Sequence, residues 1–152
     1  MESVVMLCVI YFDCCCYNRP FDDATQMRVR LEAESVLAIL RIVQDRGWTL
    51  VGSDVVDLER SKIKDAVKRS KVAKLCQLAH DKILTTPYIA SRATELQALG
   101  FKALDSFHVA VTESSNVDIL FTTDDKLENL AGRLTILVRV VNPLKWIAEE
   151  IS

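Results

Sequence analysis

The chain has 152 residues, half of them hydrophobic and 26% charged, which is the length of one domain and the profile of a globular protein, not a disordered one. Its net charge of -2 does not advertise nucleic-acid binding by the molecule as a whole. The longest apolar run, Val4 to Phe12, falls far short of the roughly 20 residues that span a bilayer, and it has neither a basic leader nor a small-residue cleavage site.

That run predicts a first strand, continuous in apolar residues as expected of a strand buried on both faces. A polar turn from Tyr17 to Asp23 leads into a long helix. On it Val29, Ala33, Val36, Leu37, Leu40 and Val43 recur at helical spacing, and Gly47 stops it. These apolar positions suit a core and a partner's surface equally. Trp48 to Gly52 is a second strand, with Ser53 as N-cap of a helix carrying Val55, Val56, Leu58 and Glu59. A further helix runs through Val72, Leu75, Leu78 and Ala79. Pro87 starts another, which Leu99-Gly100 closes. Leu104 to Thr112 is helical, Val117 to Phe121 is a strand, and Asp124-Asp125 begin a short helix. Leu134 to Val141 is a last edge strand, and Pro143 starts a C-terminal helix ending at Ile151. Strands alternating with helices imply an α/β fold with a mainly parallel sheet, in a single domain over residues 1–152.

The five cysteines, Cys8, Cys14, Cys15, Cys16 and Cys76, are odd in number and lack C-x-x-C spacing. Three are contiguous, a poor arrangement for tetrahedral zinc or for ordinary disulfides. They read as reduced thiols of a cytoplasmic protein, with a redox role for Cys14 to Cys16 as the other reading.

Four acids stand at the ends of apolar runs: Asp13, Glu59, Asp105 and Asp124. Each has an ordinary explanation. A strand-end Asp forms turns, acids favour the first turns of helices, and Asp is a common N-cap. Their joint placement says more. The carboxyl ends of parallel strands share one edge, where ligands bind, so acids far apart in sequence meet there in space. Several carboxylates in one cleft repel one another unless a divalent cation neutralises them, and hard oxygen donors favour Mg²⁺ or Mn²⁺. Immediately after Glu59, the basic residues Arg60, Lys62, Lys64, Lys68, Arg69, Lys71 and Lys74 face a single acid, Asp65. Such a run is commonly a solvated helix face; beside an acidic site it also reads as a rim for a phosphate backbone.

At these places the sequence resembles the PIN domain of VapC-type toxins and related small ribonucleases. The matching stretches are Tyr11-Phe12-Asp13 with the Asn18-to-Asp23 turn, Ser53 to Glu59, Ala103 to Ala110, and Val117 to Asp125. They span residues 11–125 in the family's order, and the Asp-x-x-His-x-Ala and Thr-x-Asp segments are the most specific pieces. The resemblance implies a three-layer α/β/α sandwich, a bound Mg²⁺ or Mn²⁺, and hydrolysis of RNA. It assigns Asp13, Glu59, Asp105 and Asp124 as catalytic metal ligands and Thr122 as the hydroxyl that braces them. Asp118 and Asp125 are supplementary acids under it, although Asp118 also reads as a loop end and Asp125 as solvent-facing. It further implies a cognate antitoxin covering the cleft and a homodimer. Where the family has a small polar residue two positions after the first Asp, this chain has Cys15.

His108 shares a helix face with Asp105 and reads first as a satisfied core histidine. Asn18 and Arg19 follow Asp13 closely; they order the first loop or touch phosphate. Arg19, Arg60, Lys62, Lys64 and Lys68 are thus the candidate RNA contacts. A non-catalytic RNA-binding or protein-interaction module on the same fold is the rival reading. A receiver domain would cluster acids after its first strand and need a Lys at its last, where this chain has Arg139. A haloacid-dehalogenase-type phosphatase would need Asp-x-Asp after strand one, and Asp13-Cys14-Cys15 does not supply it.

Overall fold

A computed structural model describes residues 7–151. Five strands form one sheet: β1 (Val9–Phe12), β2 (Thr49–Ser53), β3 (Asp81–Ile83), β4 (Ile119–Phe121) and β5 (Arg139–Val141). Their order is β3-β2-β1-β4-β5, and every pairing is parallel. Eight helices connect and cover them: α1 (Cys14–Asn18), α2 (Met27–Arg46), α3 (Asp54–Ser61), α4 (Ala66–Cys76), α5 (Pro87–Ala98), α6 (Ala103–Ser114), α7 (Asp125–Gly132) and α8 (Pro143–Ile151). This is the three-layer α/β/α architecture with a parallel centre that the sequence implies.

The central strands are buried on both faces, which is why they read as unbroken apolar runs. Ile10, Tyr11 and Phe12 are completely buried, and successive side chains point to opposite layers. Tyr11 meets His108 of α6 edge-on. Phe12 packs on Tyr17 and Phe121, and Phe121 packs on Trp146 of α8, which also meets Trp48. Gly47 ends α2 in the left-handed region (φ 67), and its N–H is donated to the Val43 carbonyl.

Several boundaries differ from expectation. The first strand begins at Val9, with Leu7 largely exposed before it; Val4 to Met6 lie outside the described residues. The expected polar turn from Tyr17 overlaps α1 and a 3-10 turn, Arg19–Phe21, because Asp13 caps a helix that the contiguous cysteines hide. Leu78 and Ala79 fall beyond α4, and only 139–141 of the expected last strand are paired. Val117 and Asp118 precede β4. Strand β3 was not expected: it is three residues long, mostly exposed, and carries Asp81-Lys82, so it has no apolar signature. The strand order reverses between β1 and β4, where an open α/β sheet forms its binding crevice.

Candidate active site

Asp13 follows β1 directly, and its N–H is donated to the Phe121 carbonyl across the crevice (3.1 Å). Its carboxylate caps α1 by accepting the Cys16 N–H (3.2 Å) and also receives the Cys15 thiol (2.8 Å). It is 4% exposed, and burial pushes its carboxyl well above the usual range; the negative charge of Cys15 acts in the same direction, while the Thr122 hydroxyl opposes it.

At the end of β4, the buried Thr122 hydroxyl accepts the Asp124 N–H (3.1 Å) and lies 3.6 Å from the Cys15 sulfur. Thr122 therefore touches both the start of α7 and the Cys15 side chain that meets Asp13. Asp124 is the N-cap of α7, its carboxylate accepting from Lys126 N (2.9 Å) and Leu127 N (3.3 Å). Asp105 lies in the first turn of α6. Burial raises its carboxyl, and the charges of Asp124 and Glu59 add to the rise. Glu59, on the last turns of α3, bonds to His108 Nε2. The structure brings Glu59 and Asp124 within electrostatic reach of Asp105, but no three of the four predicted acids have carboxylate oxygens within 4.8 Å of one another. Among the described residues no Lys or Arg forms an ion pair with Asp13, Asp105 or Asp124, although the charge of Lys102 acts on Asp105.

Behind this edge runs a buried polar chain that sequence reasoning missed. Ser53 Oγ, Tyr11 Oη and His108 Nδ1 are linked at 2.7 and 2.6 Å, and His108 Nε2 continues to Glu59. Ser53 also accepts the Val56 N–H (3.1 Å), so its hydroxyl proton is free for Tyr11. With neutral His108 every donor has an acceptor: Ser53 donates to Tyr11, Tyr11 to Nδ1, and Nε2–H to Glu59. His108 is a satisfied core histidine, as read. Its sequence signal as a partner of Glu59 was the i, i+3 spacing from Asp105.

Other candidates are placed elsewhere. Asp118 lies at the opposite, amino end of β4, where its carboxylate accepts the Val9 N–H (2.8 Å); it stitches β1 to β4 and does not join the acids. Asp125 is exposed and forms a two-pronged pair with Arg28 (2.6 and 2.9 Å). Arg19 is committed to Glu32 and Asp22, both at 2.8 Å, and Lys68 to Asp22, so neither is free for phosphate. Asn18 ends α1, with its amide oxygen facing the Cys14 thiol at 4.0 Å. Lys62 and Lys64 are exposed between α3 and α4. Arg60 pairs with Asp57 (3.3 Å).

A cavity of about 580 Å³ lies away from the acids, between the end of β2 and α3, α4 and β3, lined by Tyr17, Arg60, Cys76 and Lys82. Tyr17 Oη and Arg60 Nε are both buried there without a protein partner.

No protein-family profile matches the sequence, and no curated protein matches it. Among solved structures, the fold matches a chain in the crystal structure of VapBC2 from Rickettsia felis bound to a DNA fragment from their promoter, with a TM-score of 0.60. The match covers 88% of this chain and 98% of that one at 15% sequence identity, so the likeness is one of fold. The PIN-like architecture implied by the sequence is the architecture found.

Proposed function

We propose that this domain is a Mg²⁺- or Mn²⁺-dependent endoribonuclease, the toxin of a toxin–antitoxin pair. One observation carries the reading: Asp13 and Asp105, buried or half-buried and with no Lys or Arg ion pair among the described residues, have their carboxyls pushed up by burial, and Asp124 and Glu59 add to the rise at Asp105. Desolvated and mutually repelling acids are costly for a fold to keep, and they are oxygen donors of the kind hard cations take. The donor chemistry suits the implied ion, and Asp13, Glu59, Asp105 and Asp124 would hold it by closing on it, since no three of them have donor atoms within 4.8 Å of one another. When bound, the ion supplies Lewis-acid stabilisation of the phosphoryl group and activation of water. The chain's own residues do the rest. Thr122 fixes the start of α7 and thereby Asp124. The Ser53–Tyr11–His108 chain fixes the orientation of Glu59. The exposed Lys62 and Lys64 offer a phosphate backbone favourable charge.

A water nucleophile leaves 5′-phosphate and 3′-hydroxyl ends, so 2′,3′-cyclic phosphate ends would exclude this chemistry. The reading extends to a cognate antitoxin covering the cleft, to a homodimer and to a cytoplasmic site of action. The fold likeness to VapBC2, a protein solved on its promoter DNA, supports the first of these. Among the described residues no helix is long and apolar enough to cross a membrane.

The deciding experiment is cleavage of a mixed RNA pool with Mg²⁺, Mn²⁺ or EDTA, beside Asp105→Asn. Metal-dependent cleavage that disappears in the variant establishes the nuclease. RNA retained without cleavage under any metal establishes the binding module instead.

A further inference from the structure

We propose that Asp13, Cys15 and Cys16 form a binding site for one thiophilic divalent cation, of the Zn²⁺ or Cd²⁺ class, at the wall of the acidic cleft. Their three side-chain donor atoms all lie within 4.8 Å of one another, and among the described residues they are the one such group. Contiguity alone makes these cysteines a poor arrangement for a tetrahedral metal. The capped turn changes that. With Asp13 as N-cap, its Oδ1 accepts both the Cys16 N–H (3.2 Å) and the Cys15 thiol (2.8 Å), which sets the carboxylate against the sulfurs. Cys14 is excluded because its thiol turns to Asn18. Cys8 and Cys76 are excluded by position, at the amino end of β1 and the last residue of α4.

Burial divides the three donors usefully. Asp13 and Cys16 are 4% and 0% exposed, whereas Cys15 is only half-buried and opens the site to solvent. Two sulfurs and one carboxylate are a soft donor set that discriminates against Mg²⁺ and leaves a tetrahedral ion one open position. Binding forms two metal–sulfur bonds and one metal–carboxylate bond and displaces two protons, that of the Cys16 thiol and the one that Cys15 and Asp13 share. Both protons pass to solvent, and no electron moves.

The site stands on this geometry alone. One consequence rests on the nuclease reading: a thiophilic ion would occupy Asp13 and compete with the hard cation the cleavage needs.

The test is a Cd²⁺ titration of the metal-free full chain, read by thiolate-to-metal charge-transfer absorbance, with iodoacetamide labelling mapped by mass spectrometry. The band should saturate at about one equivalent. Cys15 should become protected while Cys8 and Cys76 label as before, and the fully buried Cys16 stays unlabelled throughout. Cys15→Ser keeps a hydrogen-bond donor for Asp13. Because loss of even an outer partner weakens metal sites ~10–100-fold, it should weaken Cd²⁺ binding at least ~10-fold. Cys76→Ser should change nothing. No band in the wild-type chain, an undiminished band in Cys15→Ser, or protection of Cys8 and Cys76 instead would each overturn the proposal. A chain that cleaves RNA but shows no band overturns this site and leaves the nuclease standing. One that shows the band but never cleaves does the reverse.

Discussion

Two carboxylates are sealed inside the described part of this domain, Glu32 and Asp13, and they are treated in opposite ways. Glu32, on α2, accepts from Arg19 Nε (2.8 Å), Arg28 Nε (3.2 Å) and Asn142 Nδ2 (2.6 Å). Those partners tie α2 to the 3-10 turn and to the residue before α8. Asp13, at the end of β1, has a thiol, a backbone N–H and no cation. A buried charge surrounded by its complement is structural, because burial of charge is tolerated when it is paired and bonded. A buried carboxyl left without that complement, pushed up by desolvation, marks a place kept for something else. Charge compensation, more than burial, separates the two kinds of acid.

The largest effect should come from breaking the compensated site. Glu32→Ala leaves two arginines and an amide facing a hole, and removal of one partner from a buried pair costs about 3–5 kcal/mol. Urea melts should show that loss as a lower midpoint with an unchanged slope. A loss near zero would mean that Glu32 is not the hub its contacts suggest.

At the uncompensated site the same kind of change should act on chemistry and spare the fold. Asp105→Asn should lower metal-dependent RNA cleavage by ~10²–10³ or more, the scale seen when one preorganised electrostatic group is removed. Its melting temperature should hold or rise, because the substitution removes a carboxylate whose ionisation is opposed by burial and by Asp124 and Glu59. A melting loss as deep as that of Glu32→Ala would erase the contrast.

The pH dependence sharpens it further. Asp13 and Asp105 have folded-state pKa values above those of the unfolded chain, so the folded state holds more protons. Their ionisation therefore disfavours folding, and stability is regained as pH falls through the folded values toward the ordinary carboxylate range. Asp57 and Asp125, held down by their cationic partners, work the other way. The wild type should thus gain more stability, or lose less, than Asp13→Asn/Asp105→Asn between about pH 7 and about pH 5 in EDTA. Mn²⁺ should abolish the difference by favouring the ionised acids. Identical pH profiles in the two proteins would remove the basis for calling these acids uncompensated.

How much of this was legible beforehand depends on what each feature looks like in one dimension. The buried parallel strands β1 and β4 announce themselves as apolar runs, and Gly47, Ser53 and Pro87 mark their helix ends. The exposed β3, with Asp81 and Lys82, has no such pattern. Helix α1 is invisible because Cys-Cys-Cys has no helical period and its cap, Asp13, also reads as a turn former. Acid positions were legible and acid surroundings were not. Glu32 lay unremarked in a helix because its partners come from residues 19, 28 and 142. Asp118 looked like a further site acid, yet it faces the other end of the sheet.

The finest contrast is between neighbours. Asp124 and Asp125 are indistinguishable by residue type, and both start α7. Asp124 accepts two backbone N–H groups and adds its charge to Asp105. Asp125 points the other way, is 57% exposed, and is held by Arg28, which itself reaches Glu32. Exposed ion pairs contribute about 0.2–1 kcal/mol. Asp125→Asn should therefore cost no more than that, with cleavage unchanged, while Arg28 keeps its bond to Glu32. Asp124→Asn retains a capping oxygen, so it too should melt close to wild type, but it should lose most of the cleavage. Comparing the two variants in one cleavage and melting series holds the helix and the local sequence constant. What differs is the side of α7 on which the charge sits. If Asp125→Asn proved the more damaging to cleavage, the acidic cleft would have to be redrawn around the Arg28 side of the helix.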